Sequence, residues 1–179
     1  TRTGYTFKGW GLTASATTAT YQAGETMSET AITKDTVLYA VWQANTYTIE
    51  YDGNGATGGS TASSSHTYNV EKALTANGYE RKYTVTYNYN YTGSTSKGVS
   101  VSYTFNGWAT SQTGSVKYTD KEEVLNLATS GAVKLYANWT SGATKLETPT
   151  RTGYTFKEWN TKQDGTGNSY SAGQTYTPT

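Results

Sequence analysis

The sequence predicts a mainly β protein, α+β at most, that consists of tandem repeats. A Tyr-x-Phe phrase followed by tryptophan occurs three times, at residues 4–10, 102–108 and 153–159. A second phrase, Leu-Tyr-Ala-x-Trp, follows two of these copies at residues 38–42 and 135–139. The paired tryptophans lie 32 residues apart in the first copy and 31 in the second. Self-similarity this regular is typical of a modular array.

The composition supports β-structure with an aromatic core. Hydrophobic residues make up 34% and charged residues 15%, both low for a globular domain, but there are 17 tyrosines, five tryptophans and three phenylalanines to bury. Thr, Ser, Tyr and Gly dominate the remainder, as in twisted sheets joined by tight turns. The net charge of +1 argues against a nucleic-acid partner or an acidic membrane surface. No cysteine is present, so disulfides and thiolate metal sites are excluded.

The second phrase can be assigned an inner and an outer face by comparing its two copies. Its leucine, alanine and tryptophan are identical in the two copies and alternate with positions that drift, except for an identical tyrosine (Tyr39 and Tyr136). Because side chains alternate between the two faces of a strand, we expect the leucine, alanine and tryptophan to face the core and the tyrosine to lie on the outer face. The inward set is Leu38, Ala40, Trp42, Leu135, Ala137 and Trp139, and the outward set is Val37, Val41, Lys134 and Asn138.

The first phrase predicts an inward tyrosine and phenylalanine in each copy. Its tryptophan falls out of phase with them by one residue, and a β-bulge near Gly9 and Gly107 would rotate it inward. Glu158 stands at this position in the third copy, where it is less suited to such a bulge. The inward residues are Tyr5, Phe7, Tyr103, Phe105, Tyr154 and Phe156.

Further strands follow from period-two patterns. Residues 47–51 alternate and end at an Asp-Gly-Asn-Gly turn, residues 52–55. Residues 83–91 and 99–105 read as a long hairpin joined by the polar segment 93–98. The stretch from Asp120 to Ala128 resembles a capped helix start and is equally consistent with extended structure, while residues 70–74 are a weaker helix candidate.

These elements divide the chain into three parts. Residues 1–43 form the C-terminal half of a first repeat, and residues 44–140 form a complete repeat with an inserted strand or hairpin near 80–100. Residues 141–179 form a truncated third repeat without a Leu-Tyr-Ala-x-Trp phrase. Since the sequence begins within a repeat, we expect it to be part of a longer protein.

At these residues the chain resembles the Listeria–Bacteroides repeat, the internalin-type B repeat of bacterial surface proteins. The resemblance rests on residues 1–10, 37–42 and 47–55 and recurs at 103–108, 135–139 and 149–159. It implies small β-grasp-like modules with at most one short helix each, arranged in tandem in cell-wall-associated or secreted proteins. It implies no catalytic residues, and the insertion near 80–100 departs from the family pattern.

The candidate sites all have a structural explanation that we prefer. His66, the single histidine, lies in a Ser-rich stretch that we interpret as a loop without a catalytic or metal-binding role. Residues 52–55 carry oxygen ligands at alternate positions but lack the further acidic ligands of a calcium loop, so a hairpin turn is preferred. Asp120, Glu122 and Glu123 are sequence neighbours and do not face one another across a cleft as a glycosidase requires.

The aromatic residues leave one binding hypothesis open. Trp10, Trp42, Trp108, Trp139 and Trp159 sit within strand patterns, so we interpret them as core residues. Surface tyrosines such as Tyr87 and Tyr89 could instead stack on sugars.

We therefore predict a non-catalytic spacer or adhesive repeat region of a bacterial cell-surface or secreted protein, located at the cell surface or cell wall. No catalytic, cofactor-binding or metal-binding residues and no transmembrane segment are predicted. The expected partners are neighbouring repeats. Two alternatives remain: a module that binds a host glycan or protein, and a filament subunit that assembles through its incomplete terminal repeats.

Overall fold

The computed structural model describes residues 1–26 and 34–178. Within those ranges the regular secondary structure consists of β-strands alone. No helix in the described part of the chain is therefore long and apolar enough to cross a membrane. In chain order the strands are β1 (Tyr5–Gly11), β2 (Tyr39–Ala44), β3 (Thr46–Asp52), β4 (Gly58–Gly59), β5 (Ser64–Thr67), β6 (Lys72–Ala73), β7 (Tyr79–Glu80), β8 (Lys82–Tyr87), β9 (Lys97–Ser102), β10 (Thr104–Ala109), β11 (Glu123–Val124), β12 (Gly131–Thr140), β13 (Thr144–Lys145), β14 (Trp159–Asn160), β15 (Ser169–Tyr170) and β16 (Thr175–Tyr176). The prediction of a mainly β fold is confirmed.

The first of two compact units comprises Thr1–Asp52, Thr61–Asn77 and Asp120–Leu135. Within it β1 pairs with β2, β6 pairs with β11, and β3 lies between β5 and the first half of β12. Tyr47, Ile49 and Tyr51 are buried along β3, as their alternation predicts. The Tyr47 hydroxyl accepts a hydrogen bond from the Leu127 amide at 3.4 Å, so the aromatic core also holds a loop.

The second unit comprises Gly53–Ser60, Gly78–Thr119 and Tyr136–Thr179. Here β10 pairs with the second half of β12, and four further antiparallel pairs are β4–β7, β8–β9, β13–β16 and β14–β15. In the β8–β9 hairpin Tyr87 pairs with Lys97, so the connection runs from 88 to 96 and begins earlier than predicted. The predicted run 99–105 is interrupted at Tyr103, which separates β9 from β10.

The predicted bulges lie at Gly9 and Gly107. In both strand pairs the register shifts by one residue between the phenylalanine and this glycine. The glycines have φ of 127° and 138°, a region that side chains disfavour. A Cβ at Gly107 would lie 2.6 Å from the Tyr118 carbonyl oxygen, so the bulge depends on the missing side chain.

The suggested helices are absent. Residues 120–128 contain the short strand β11 and no helical turn, and residues 70–74 contain β6. Lys121 and Asn126 have φ of 59° and 56°, which cannot be continued in a right-handed helix. The Asp120 carboxylate accepts a hydrogen bond from the Asn77 amide at 2.8 Å instead of capping its own segment.

The predicted inner face of the second phrase is confirmed in β12 and wrong in part of β2. Leu135 and Ala137 are fully buried, whereas Ala40 is exposed and Val41 is buried. Val41 packs towards Gly11. On the same side of the β1–β2 pair, the segment that follows β1 folds back and Tyr21 forms an isolated β-bridge with Trp10. The side that carries Ala40 lacks an equivalent cover among the described residues of this unit.

Tyr154 is also not inward, being 66% exposed. Residues 155–158 form no strand, and the Arg151 guanidinium lies 3.7 Å from the centre of the Tyr154 ring. Glu158 takes the place of the bulge glycine here, and the bulged strand of the other two copies is not formed.

Aromatic clusters and a candidate binding groove

The repeated phrases build the same aromatic cluster twice. The phenylalanine ring of the first phrase lies between the tryptophan of its own strand and the tryptophan of the second phrase. Phe7 is 5.1 Å from Trp10 and 5.3 Å from Trp42 between ring centroids. The second cluster has 5.0 Å between Phe105 and Trp108 and 5.4 Å between Phe105 and Trp139. Edge-on and tilted contacts at these distances are favourable.

The turn that follows β3 seals the second cluster. The Trp139 indole nitrogen donates a hydrogen bond to the Gly53 carbonyl at 2.9 Å. The Asn54 side-chain amide donates to the carbonyls of Ala137 at 2.9 Å and Gln112 at 2.8 Å. The sequence predicts a hairpin turn at residues 52–55. Asn54 and Gly55 do have the positive φ that is typical of such turns, but the turn caps β10 and β12 rather than joining two paired strands.

A groove of about 890 Å³ opens in the second unit. The Arg151 guanidinium lies between two rings on its wall, 3.7 Å from the centroid of Tyr154 and 4.5 Å from that of Tyr91. Trp159 lies deeper, 4.8 Å from the Tyr87 ring and 5.8 Å from the Tyr89 ring. Exposed rings beside a cation can stack on a planar or ring-shaped ligand.

The polar groups near this groove are fixed by one another. The Lys97 ammonium is 3.1 Å from the Glu147 carboxylate, and this bond raises the pKa of Lys97. Burial, followed by the hydrogen bond with Glu147, raises the pKa of the Tyr89 hydroxyl. Gln163 donates an amide hydrogen bond to the Asn90 side-chain oxygen at 3.0 Å. Such a wall can bind a neutral or acidic ligand through rings, amides and Arg151.

Of the two tyrosines that suggested sugar binding, Tyr89 is half-buried and Tyr87 is buried, so neither is a surface platform. The exposed rings of the groove are Tyr91 and Tyr154, which sequence reasoning did not select. The Thr-Arg-Thr-Gly-Tyr sequence that is repeated at 1–5 and 150–154 could have indicated the arginine–tyrosine pair, because the two residues stand at the same spacing in both copies. Arg2 lies over Tyr5 at the same 3.7 Å.

His66 lies in strand β5 and not in a loop. It is 1% exposed, and its ring stacks on Tyr47 with 5.5 Å between centroids. Its Nε2 is 2.9 Å from the Ser64 hydroxyl oxygen. Burial, followed by the charge of Lys72, lowers the pKa of His66. The histidine therefore packs in the core, where burial favours the neutral form of its ring.

The acidic candidates do not converge in the described residues. Across 1–26 and 34–178, no group of three His, Cys, Asp or Glu side chains is arranged to hold a metal ion. Glu123 lies on β11 opposite Ala73, while Asp120 bonds to the Asn77 backbone.

The Listeria-Bacteroides repeat domain matches the sequence over residues 1–41, 75–138 and 140–179, about four fifths of the chain. The chain belongs to the Listeria-Bacteroides repeat family. This confirms the resemblance inferred from the repeated phrases. The three matched segments each contain one Tyr-x-Phe phrase.

A relative from Evansella cellulosilytica, provisionally named a Gly-rich membrane protein, is 29% identical over 140 residues. The match covers 77% of this chain and 14% of the relative, so the chain spans about a seventh of that protein's length. No solved structure matches the chain significantly.

Proposed function

We propose that these repeats form a non-catalytic spacer, with an adhesive role, in a bacterial cell-surface protein. The duplicated aromatic cluster, with the same strand register in β1–β2 and β10–β12, carries the proposal. A unit that is built repeatedly around its own aromatic residues adds stability with each copy. Family membership supports the same role.

The cell envelope is the proposed location. The long relative from Evansella cellulosilytica has a name that places it in a membrane, and this chain matches one stretch of it. Repeats in such a protein would extend a functional part from its point of attachment.

Accessibility on intact cells tests the location. Antibodies raised against residues 1–179 are expected to label intact cells that produce the parent protein, and protease treatment of those cells should remove the label. Labelling only after lysis would overturn the proposal. A cytoplasmic protein of the same cells is the control.

The spacer role is tested by copy number. One, two or four copies of residues 44–140 are inserted between a surface anchor and a reporter binding domain. Capture of a bead-bound ligand across a polymer layer should increase with copy number. Equal capture at all lengths would contradict a spacer.

Glycan binding is a second candidate because the groove presents Tyr91, Arg151 and Tyr154 together. On a glycan array the chain should bind sugars through these three side chains, and Tyr154→Ala should reduce the binding signal at least about fivefold. Tyr39→Ala is the matched control, because Tyr39 is an exposed ring outside the groove. An array without signal would eliminate this candidate.

A further inference from the structure

The β8–β9 hairpin resembles the opening of the second repeat in sequence and in burial. Its first strand reads Tyr-Thr-Val-Thr-Tyr at residues 83–87, and the opening strand of the second repeat reads Tyr-Thr-Ile-Glu-Tyr at residues 47–51. The last tyrosine is buried in both strands, with Tyr87 3% and Tyr51 8% exposed. Strand β8 pairs antiparallel with β9, as β3 does with β5. The insertion near 80–100 therefore has the form of an opening hairpin.

The hydroxyl of this tyrosine accepts the same backbone hydrogen bond in both places. The Thr75 amide donates to Tyr51 at 2.8 Å, and the Glu147 amide donates to Tyr87 at 3.3 Å. Each of these amides directly follows a buried leucine. Thr75 precedes the Tyr-x-Phe phrase of the second repeat, whereas Glu147 precedes that of the third. Tyr87 therefore makes for the third repeat the contact that Tyr51 makes for the second.

The two buried leucines lie beside equivalent strand pairs. The Leu74 amide donates to the Glu122 carbonyl at 2.9 Å, and the Leu146 amide donates to the Gln174 carbonyl at 2.8 Å. Strand β6 pairs with β11, and β13 pairs with β16. In both pairs the residue before the leucine faces the residue after the carbonyl that accepts this bond. The third repeat thus contains the short strand pair of the second in the same register.

The hairpin contacts the third repeat through both of its strands. The Tyr83 hydroxyl donates to the Gly142 carbonyl at 3.0 Å, and its ring centroid is 6.4 Å from that of Tyr176. On β9 the Lys97 ammonium is 3.1 Å from the Glu147 carboxylate. Strands β13 to β16 are each two residues long, whereas β8 and β9 have six residues each. The hairpin therefore supplies long strands that β13 to β16 do not, and strands this short are marginal by themselves.

The hairpin interrupts the second repeat at a defined point. Residues 75–79 read Thr-Ala-Asn-Gly-Tyr and correspond to the Thr-Arg-Thr-Gly-Tyr sequence of the other two repeats. In those repeats Thr-Phe follows directly, whereas in the second repeat residues 80–103 come between. The two ends of the inserted segment meet, since the Tyr103 amide donates a hydrogen bond to the Arg81 carbonyl at 2.8 Å. The second repeat can thus continue across the base of the hairpin.

We infer that residues 82–102 are the opening hairpin of the third repeat, inserted into the second, so that the two repeats are interleaved. Three peptide bonds then join them, after residues 81, 102 and 140, where simple tandem repeats are joined by one. The third repeat folds only around a hairpin that the second repeat holds at both ends, whereas the second repeat closes without it. This dependence goes beyond the proposed spacer role and holds wherever the protein is located.

Replacement of residues 82–102 by a two-residue Asn-Gly turn in the full-length chain tests the inference. The ends of this segment are hydrogen-bonded to each other, as such a turn requires. The indole N–H signals of Trp139 and Trp159 report on the second and third repeats in nitrogen-edited NMR spectra, and Trp139→Phe and Trp159→Phe assign them. We expect the Trp139 signal to keep its position and the Trp159 signal to move to that of an unfolded chain. Retention of both signals, or loss of both, would overturn the inference.

A point substitution tests the same dependence with the hairpin in place. Tyr87→Ala should accelerate hydrogen exchange of the Leu146 amide at least about tenfold and leave that of the Leu74 amide within about twofold, because only the third repeat opens more often. Thr86→Ala is the matched control, since Thr86 is exposed on the opposite face of β8, and both amides should exchange as in the parent protein. Equal acceleration at Leu74 and Leu146 would contradict the inference, as would no acceleration at Leu146. The antibody experiment tests the surface location separately.

Discussion

Trp108 is the largest of the fully buried side chains in the described structure, and it has a natural control in Trp10. Both indoles contact the phenylalanine three positions earlier in the chain at nearly equal distance. They differ in how much surface they hide from water. This pair separates the contribution of the aromatic contact from that of complete burial.

Trp108→Ala should lower the free energy of unfolding by about 3–5 kcal/mol, because it removes a large side chain and leaves a cavity. Trp10→Ala should cost roughly 1 kcal/mol. Urea unfolding followed by circular dichroism measures both. If the two substitutions destabilise equally, the difference in burial between the clusters has no energetic meaning.

His66 predicts a pH dependence of stability. Its pKa is lowered in the folded protein, so the unfolded chain binds the proton more readily. The stability linked to the neutral ring is therefore complete above the unfolded value of about 6.5 and is lost as the pH falls below it.

His66→Phe should remove this contribution while keeping a ring beside Tyr47. Denaturant midpoints measured between pH 7.5 and 5 should fall more steeply for the parent protein than for the variant. Carboxylates titrate in both proteins and affect both curves equally. If the midpoints of the parent protein and the variant fall in parallel with pH, protonation of His66 is not linked to folding.

The bulged strand is the element on which each cluster depends. In a regular strand the side chains of Phe105 and Trp108 would point to opposite faces, because they are three positions apart and an odd spacing changes face. The bulge restores them to one face. Its glycine is also covered by the backbone that follows, with the Tyr118 carbonyl closest.

Gly107→Ala should therefore destabilise the protein by about 3 kcal/mol or more, because it combines positive-φ strain with a backbone clash. Gly131→Ala is the matched control: Gly131 has φ of 77° but open space at its Cβ, so about 1 kcal/mol of strain is expected. Thermal unfolding compares the two. Equal losses would indicate that strain alone matters.

Strand identity was predictable where residues alternate strictly. Tyr47, Ile49 and Tyr51 followed period two and are buried. The bulges followed from the phase of the tryptophans. Local sequence could not exclude a helix at 120–128. The Asp120 carboxylate, which would have capped that helix, instead accepts a hydrogen bond from the Asn77 amide, and Asn77 is distant in the chain. The exposure of Ala40 depends likewise on what lies opposite, which two identical phrases cannot reveal.

On the scale of the whole molecule, stability should be independent of metal ions and of redox conditions. The sequence contains no cysteine, and the Asn54 amide of the one calcium-like turn is bonded within the protein. The melting temperature should agree within about 1 °C with and without a chelator or a reductant. A fall with the chelator that calcium reverses would reveal an ion site and contradict the prediction.

The family and the array were readable from the sequence, because repeated phrases report a repeated structure. The groove was not, since Tyr91, Arg151 and Tyr154 are brought together by folding across 60 residues of chain. Residues 52–55 were predictable as a turn, but the contacts of the Asn54 side chain were not, because they reach residues 58 and 83 positions away. Function carried by such distant pairs is invisible to local patterns.

The shared register of β1–β2 and β10–β12 also bears on how such a gene can change. In both pairs the phenylalanine faces the tryptophan of the second phrase, and the glycine that follows shifts the register by one residue. DNA exchanged between two copies at the same phrase would therefore encode a hybrid whose strands still align. Recombination could lengthen or shorten the array by whole repeats without creating a misfolded junction. The identical pairing thus makes copy number a trait that evolution can adjust one repeat at a time.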